Sequence, residues 1–160
     1  IVAPLFREPL KLALPQDHRL AGKAQIKRSD LLGELVLTIG EHHLFHRQIT
    51  ELCEQVGAQT RRDYEGTSLD TLRQMVVMGM GIAFLPALYA KSEIRDKEEL
   101  RVAEVEGISV ARNHALVWRN TSPLASFYKR LSEEIKVIIL TELSAEVFPI
   151  NANLRKKLVN

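Results

Sequence analysis

The chain has 160 residues, of which 46% are hydrophobic and 26% are charged, and this is enough for one buried core. Its formal net charge of +2 is too small to indicate nucleic-acid binding by this segment itself. No apolar run approaches the roughly 18 residues of a membrane span, and no basic-then-apolar leader opens the sequence. A single cysteine excludes an intrachain disulfide and favours a reducing cytoplasm. Because the sequence starts at Ile1, inside a strand-like segment, we expect a fragment.

The first part of the sequence predicts two strands separated by a short helix. Leu10–Leu14 alternates as a strand does, and residues 21–28 read as a polar connection. Ser29–Leu32 predicts a short capped helix that ends at Gly33. The β-rich run Leu35–Ile39 predicts the next strand.

An amphipathic helix is predicted within residues 41–56. Its apolar residues form one stripe toward the core: Phe45, Ile49, Leu52 and Val56. Cys53 lies at the edge of that stripe, where a cysteine most often packs as a small buried hydrophobe. His42 and His46 stand at i and i+4, a spacing that can chelate a transition metal. No carboxylate or cysteine completes a convincing set, so we predict no metal site.

The stretch from Tyr64 to Tyr89 predicts a turn, a helix, a glycine turn and a short buried strand. Thr67 or Ser68 can cap the helix by accepting from its first unpaired N–H groups. Gly79-Met80-Gly81 ends the helix, and Ile82–Leu85 predicts a strand buried on both faces. The hydroxyl pair at a helix N-terminus can also hold a small anion or polar ligand. Capping is the commoner use, and both interpretations stay open.

The remaining segments predict surface connections, two strands and a final helix. Residues 58–63 and 87–97 read as charged, solvated segments. Strands are predicted at Leu100–Val105 and Asn113–Trp118. Ser122-Pro123 is a favourable helix start, and this helix carries one apolar stripe: Leu124, Phe127, Leu131, Ile135 and Ile138. The segment after Pro149 reads as a basic tail.

The run GTSLDTLRQMVVMGMGIAFLPAL, from Gly66 to Leu88, resembles the effector domain of LysR-type transcriptional regulators. The similarity extends from Pro4–Pro9 to the helix after Trp118, most of the chain in the family's order. The resemblance implies an α/β fold of the periplasmic-binding-protein type, with two lobes. The resemblance also divides this chain into four segments. Residues 1–9 would be the crossover strand from lobe I, and residues 10–118 would be lobe II. Residues 119–148 would be the return helix of lobe I, and residues 149–160 the basic tail.

The resemblance also implies partners that this segment does not itself contain. Family members carry a winged helix-turn-helix ahead of the effector domain, so DNA would bind through that absent part. A small-molecule effector would bind in the cleft between lobes, and the protein would be a homodimer or homotetramer with no membrane association. We expect no cofactor and no enzymatic activity. We also expect the 69–78 helix and the final helix to lack apolar cover, so that the chain self-associates or retains a companion.

Within the family the sequence is most similar to the peroxide-sensing OxyR branch, with LsrB-type regulators nearby. That branch has a reactive cysteine after a histidine, and a second cysteine nine residues later that bridges to it. Aligned through Gln48, the second cysteine matches Cys53, the first falls on Leu44, and the histidine on His43. An isobutyl group has no nucleophile, so the two-cysteine switch cannot form. Cys53 could still be oxidised to a sulfenic acid, glutathionylated or bridged to another subunit.

The first functional hypothesis is therefore the ligand- or oxidant-responsive domain of a transcription regulator. The candidate effector contacts are His43, Leu44, Thr67 and Ser68. A small-solute-binding module without DNA binding is the alternative, since the same architecture serves transport. A third class is a thiol peroxidase built on Cys53, which no acid–base pair in the sequence supports.

Overall fold

A computed structural model of the chain describes residues 1–94 and 99–150, without the side chains of residues 62–64. In chain order the strands are β1 (Val2–Pro15), β2 (Ile26–Lys27), β3 (Leu35–Ile39), β4 (Gln59–Gly66), β5 (Ile82–Pro86), β6 (Leu100–Ala103), β7 (Val105–Glu106), β8 (Ala111–Val117) and β9 (Phe148–Pro149). The helices are α1 (Leu44–Val56), α2 (Leu69–Val77), α3 (Ala87–Glu93) and α4 (Ala125–Glu142), with a 3-10 helix at Arg28–Leu31. Two compact units result: Leu10–Val110, called here the large unit, and Ile1–Pro9 with Ala111–Asn160, called the small unit.

The large unit is built on a mixed sheet with the strand order β4-β3-β5-β1-β6. Strand β3 lies parallel to both β4 and β5, whereas β1 runs antiparallel to β5 and β6. The short strands β2 and β7 form a separate parallel pair. The carboxyl ends of β4, β3 and β5 therefore meet at one edge of the sheet.

Both faces of this sheet are covered by helices. Helix α1 packs on one face, where Ile49, Leu52 and Val56 join a core that includes Phe84. Helix α2 packs on the other face through Leu72, Met75 and Val76. Because β5 is covered on both sides, all five of its residues are buried, as predicted for Ile82–Leu85. The α/β prediction is confirmed.

The structure corrects the prediction that helix α2 lacks cover. Leu72 and Val76 are fully buried and Met75 is 6% exposed, all within the large unit's own core. Met78, which the sequence placed on the same apolar arc, is 67% exposed just beyond the end of the helix. The apolar arc of α2 is therefore satisfied locally.

Three connections predicted as irregular contain regular structure. Residues 58–63 belong largely to the edge strand β4, because its backbone pairs with the buried strand β3 while its side chains are mostly polar. Residues 87–97 begin with helix α3, whose Ala87 and Ala90 are buried; residues 95–97 lie outside the described residues. Residues 21–28 include β2, which buries Ile26.

The short helix predicted at Ser29–Leu32 is the 3-10 turn Arg28–Leu31, and the side chain that stabilises it is Asp30 rather than Ser29. Asp30 accepts hydrogen bonds from Lys23 Nζ at 2.5 Å and from the Lys27 backbone N–H at 2.8 Å. These bonds lower the pKa of the Asp30 carboxyl. The carboxylate thereby satisfies a donor at the start of the turn.

The small unit pairs the Val2–Pro9 part of β1 with β8 and β9. Helix α4 follows β8, and the hydroxyl of Ser122 accepts from the Leu124 N–H at 3.3 Å just before the helix begins. Neither α4 nor any other helix among the described residues is long and apolar enough to cross a membrane. Of the predicted basic tail 149–160, Pro149 lies in β9 and residues 151–160 are outside the described residues.

The large unit ends at Val110, and the division that gives residues 10–118 to lobe II stays a prediction. By its contacts, strand β8 (Ala111–Val117) belongs to the small unit. The reason is the register of β8, whose residues face Val2–Pro9 across an antiparallel ladder. A strand's unit is decided by its pairing partner, which the local pattern of Asn113–Trp118 does not specify.

A buried ionisable contact lies in that ladder. Glu8 is 3% exposed, and its Oε2 lies 2.8 Å from His114 Nε2 and 3.8 Å from an Arg112 guanidinium nitrogen. The His114 ring also stacks on Phe6, with ring centroids 4.5 Å apart. His114 therefore has a hydrogen-bond partner, as is usual for a partly buried polar side chain.

We expect His114→Ala to lower the free energy of unfolding by about 1–3 kcal/mol, because a buried carboxylate loses a close hydrogen-bond partner. Urea denaturation measures the change. The neighbouring exposed residue supplies the control, Asn113→Ala, for which we expect less than about 0.5 kcal/mol. Equal losses in the two variants would show that the contact with Glu8 contributes nothing specific.

Candidate functional site

The four predicted effector residues lie on two loops that leave adjacent strands. His43 and Leu44 follow β3, and Thr67 and Ser68 follow β4. These strands are parallel and in register at their ends, where Ile39 faces Gly66. In open α/β sheets the crevice beside such carboxyl ends is the usual place for a ligand. The fold thus brings the two halves of the predicted site to one edge of the sheet.

The start of helix α2 is built from hydroxyl groups. Ser68 is the N-cap, and its Oγ accepts a hydrogen bond from the Thr71 N–H at 3.2 Å. The hydroxyls of Thr67 and Ser68 each lie 3.2 Å from the Thr71 hydroxyl. The prediction of a hydroxyl cap is therefore confirmed, with Ser68 in that position. Thr67 and Ser68 are both exposed, so their remaining hydrogen-bonding capacity faces solvent.

The start of helix α1 has a different character. His43 is its N-cap residue but makes no capping bond through its side chain, and its own N–H donates to the Gly40 carbonyl at 3.1 Å. Leu44 is 64% exposed at the first helical position. The two loops are tied together by a hydrogen bond from the Gly40 N–H to the Gly66 carbonyl, 3.2 Å long. The loop after β3 therefore carries an imidazole and an apolar side chain, and the loop after β4 carries the hydroxyls.

The histidines around α1 do not converge. His42 precedes the helix, whereas His46 lies within it and places Nδ1 2.9 Å from the Ile39 carbonyl. Across the described residues, no group of three or more His, Cys, Asp or Glu side chains could hold a metal ion. The i and i+4 spacing seen in the sequence is therefore not a single helical face.

Gly66 is held closely by the first turn of α2. A Cβ added at this position would lie 3.3 Å from both the backbone N and the Cβ of Leu72. Gly40, whose N–H donates to the Gly66 carbonyl, is less confined. A Cβ added at Gly40 would lie 3.6 Å from Glu65 Oε2. Because Gly66 immediately precedes Thr67 and Ser68, its close packing fixes where their backbone begins.

Two further contacts join α2 to neighbouring parts of the chain, and the sequence analysis did not identify them. The Tyr89 hydroxyl donates to Asp70 Oδ1 at 2.7 Å, which joins the start of α2 to α3. Burial, followed by this bond to Asp70, raises the pKa of Tyr89 to about 12. A guanidinium nitrogen of Arg73, also in α2, lies 3.6 Å from Glu99 Oε2. The sequence can show that Asp70 lies in the first turn of a helix, where an acidic residue is favourable. It cannot show that the partner of Asp70 is Tyr89, which lies 19 residues away.

A buried hydroxyl also lies at this end of β3. Thr38 is fully buried, and its Oγ1 has no hydrogen-bond partner within the described part of the chain. It faces the α1 side of the sheet, since side chains alternate and Leu37 and Ile39 belong to the α2 side. In the sequence Thr38 is simply a strand residue, and only its burial shows the unsatisfied group.

Cys53 lies on the buried side of α1 and is only 2% exposed. Burial raises the pKa of its thiol to about 11, and the nearby Glu54 carboxylate adds to this effect. A shallow groove of about 550 Å³ runs between α1 and β4, and its lining includes Cys53, Thr50 and Arg61. A thiol with a raised pKa is a weak nucleophile at neutral pH, so this environment suits packing.

The family and its members can now be compared with this geometry. The family model described as the LysR substrate binding domain matches residues 1–136. The hydrogen peroxide-inducible genes activator of Pectobacterium carotovorum subsp. carotovorum is 39% identical over 136 residues, which is 85% of this chain and 45% of that protein. The DNA-binding transcriptional dual regulator OxyR of Escherichia coli (strain K12) is 37% identical over 136 residues, with 85% and 44% covered. The chain thus spans somewhat under half the length of these relatives.

Solved structures agree with this family and with the fold. The crystal structure of the reduced form of OxyR matches with a TM-score of 0.75 at 34% identity, covering 89% of this chain and 66% of that chain. The oxidised form matches with a TM-score of 0.74 at 35% identity, covering 89% and 67%. The predicted periplasmic-binding-protein-like architecture is confirmed by this agreement. The chain belongs to the LysR substrate-binding domain family and is similar within it to the OxyR-type regulators.

Proposed function

We propose that this chain is the effector-sensing domain of a LysR-type transcription regulator with a role in the response to oxidative stress or to a small polar metabolite. The relatives named as hydrogen peroxide-inducible activators support the oxidative link. DNA would be bound by a winged helix-turn-helix outside this chain, in a homodimer or homotetramer located in the cytoplasm. The domain itself carries out no catalysis in this proposal. An effector acts by binding one arrangement of the regulator better than another.

The effector would bind at the sheet edge where the loops after β3 and β4 meet. The observation that supports this assignment is the pairing of Ile39 with Gly66 at the ends of β3 and β4, because the loops that follow these two strands carry the four residues: His43, Leu44, Thr67 and Ser68. The exposed hydroxyls and the α2 N-terminus favour a carboxylate or another small polar group. His43 adds a donor or acceptor, and Leu44 an apolar contact.

The proposal excludes a two-cysteine peroxide switch. Leu44 occupies the position that matches the reactive cysteine of the OxyR branch, and the remaining thiol, Cys53, is buried with a raised pKa. Any response to oxidants would then depend on a ligand at the loop edge rather than on an intrachain disulfide. We assign Cys53 a packing role.

Two substitutions test the site, because they separate ligand contact from helix capping. Thr67→Ala removes a hydroxyl that does not cap, and Ser68→Asp keeps a capping oxygen but adds a charge that repels an anion. We expect each substitution to raise, by at least about 10-fold, the concentration of carboxylate that is needed for a given increase in melting temperature. The melting temperature without ligand should stay nearly unchanged. Differential scanning fluorimetry with a panel of small carboxylates and hydrogen peroxide provides the measurement.

The matched control is Ser109→Ala, which removes another exposed hydroxyl of the large unit that belongs to neither of the two loops. Its stabilisation by the panel should equal that of the unmodified chain. Grafting the same substitutions into a full-length regulator with this domain should abolish induction and preserve promoter binding. Unchanged induction in Thr67→Ala and Ser68→Asp would reject the loop edge as the effector site.

A further inference from the structure

The Asp70 carboxylate lies in the first turn of α2, which directly follows the hydroxyl residues of the proposed effector site. Asp70 is the second residue of the helix and follows the Ser68 cap by two positions. An aspartate here can accept hydrogen bonds from the free N–H groups at the start of its own helix. An anionic effector would use the same N–H groups. Asp70 could therefore compete with such an effector.

Asp70 instead makes its hydrogen bond to α3. Its Oδ1 accepts from the Tyr89 hydroxyl at 2.7 Å. The Thr71 N–H donates to the Ser68 hydroxyl at 3.2 Å, so the cap rather than Asp70 takes this N–H group. Burial, followed by the bond to Asp70, raises the pKa of Tyr89 to about 12. The phenol therefore keeps its proton at neutral pH and remains a donor to the carboxylate.

Helix α3 gives Tyr89 a fixed position. The helix packs against β5, and Ala90, the residue after Tyr89, is 6% exposed. Arg73 lies one turn beyond Asp70 in α2 and is the other partner that helical spacing offers to this carboxylate. The Arg73 guanidinium lies 3.6 Å from Glu99 Oε2 and also acts on the Tyr89 hydroxyl. The donor that holds the Asp70 carboxylate is thus the phenol.

We propose that Tyr89 is a positioning residue of the effector site, which holds the Asp70 carboxylate on α3 so that an anionic ligand can use the N–H groups at the start of α2. The inference rests on the proposed effector site and adds a residue, outside its two loops, on which the affinity for anions depends. Without the Tyr89 hydroxyl, Asp70 would accept from the N–H groups of its own turn, and its charge would oppose a bound carboxylate. The effect of Tyr89 on the ligand must then pass through Asp70.

Tyr89→Phe tests the proposal, because it removes only the hydroxyl. Differential scanning fluorimetry with sodium acetate, pyruvate and succinate, against sodium chloride at equal ionic strength, measures the increase in melting temperature over each variant's own ligand-free value. We expect Tyr89→Phe to raise the carboxylate concentration needed for a given increase about fivefold. Combined with Asp70→Asn, which removes the competing charge, Tyr89→Phe should change that concentration less than about twofold. Tyr128→Phe, which removes a phenol hydroxyl from α4 in the small unit, is the matched control and should behave as the unmodified chain.

The rescue by Asp70→Asn separates positioning from a purely structural role of Tyr89. If the hydroxyl only supported the packing of α3, Tyr89→Phe would weaken carboxylate binding equally with and without Asp70→Asn. Equal weakening in the two backgrounds, or no weakening in either, would overturn the inference and leave the effector site in place. Failure of all three carboxylates to stabilise even the unmodified chain would instead overturn the anion site itself, and this inference with it.

Discussion

In hydrogen peroxide at neutral pH, the Cys53 thiol of the folded chain should stay reduced at least about 100-fold longer than the same thiol in urea. Burial raises the pKa of Cys53 to about 11 from an ordinary value of 9.0, which reduces the thiolate fraction near pH 7 by about 100-fold. The side chain is only 2% exposed, so access is restricted as well. Trapping of sulfenic acid with dimedone, followed by mass spectrometry, measures the rate in each state.

The matched variant moves the thiol from position 53 to position 44. Leu44→Cys combined with Cys53→Ser places a single thiol at the exposed first residue of α1, where 64% of the leucine side chain faces solvent. We expect oxidation there to be at least about 10-fold faster than at Cys53 in the unmodified chain. Equal rates at the two positions would show that Cys53 is reactive despite its burial, and the packing role would be wrong.

Geometry also limits what the pair of thiols can do in the Leu44→Cys variant. Positions 44 and 53 lie at opposite ends of most of α1, about 13 Å apart along the helix at about 1.5 Å per residue. A disulfide requires Cα atoms within about 7 Å, so a bridge forms only if α1 unwinds. We expect bridge formation to accompany a loss of helical circular dichroism. A disulfide with α1 intact would contradict this geometry.

Unwinding of α1 would also disturb the core, because α1 contributes Ile49 and Leu52 to it. Unwinding α1 would expose these residues, and each fully buried aliphatic side chain is worth about 1.5–3 kcal/mol. A bridge between these positions is therefore coupled to a rearrangement of the large unit. Leu44 cannot take part in such a bridge, so in our proposal a response to oxidants depends on the loop edge.

Sequence reasoning succeeded where the signal is local. The apolar stripe of α1, the Ser68 cap and the buried run of β5 all follow from residue spacing within a few turns or pleats. Each of these elements buries its apolar face against neighbours in the large unit, so the pattern and the packing agree. The hydroxyl half of the candidate site follows from such a local signal at a helix start, whereas His43 and Leu44 were proposed from the family resemblance.

The failures share a non-local cause. Strand β4 is polar enough to read as a solvated segment, and it exists because β3 supplies its backbone partners. The bond from Tyr89 to Asp70 joins two helices through the fold, and the unit of β8 is set by β1. Only pairing across the sheet brings the loops of His43 and Thr67 together. The residues of the candidate site could therefore be proposed from the sequence, whereas the pairing that brings their two loops to one edge could not.

The central strand β5 is where we expect a substitution to cause the largest loss of stability. Phe84 is 1% exposed on β5, which lies between β3 and β1, and its ring belongs to the core beneath α1. Phe84→Ala should lower the free energy of unfolding by about 3–5 kcal/mol. The substitution loses the favourable transfer free energy of the ring and leaves a cavity in the core. That is a large share of the 5–15 kcal/mol typical of a domain.

Urea denaturation followed by circular dichroism measures this loss, with Met78→Ala as the control. Met78 is 67% exposed, so we expect a change of less than about 0.5 kcal/mol there. Phe84→Leu should fall between the two, because it keeps most of the apolar volume. Since β5 aligns β3 through the pairs Val36–Ile82 and Leu37–Ala83, loosening this core should also weaken carboxylate binding at the loop edge. A Phe84→Ala chain as stable as Met78→Ala would mean that the sheet is not held by this core, and the loop edge would lose its rigid support.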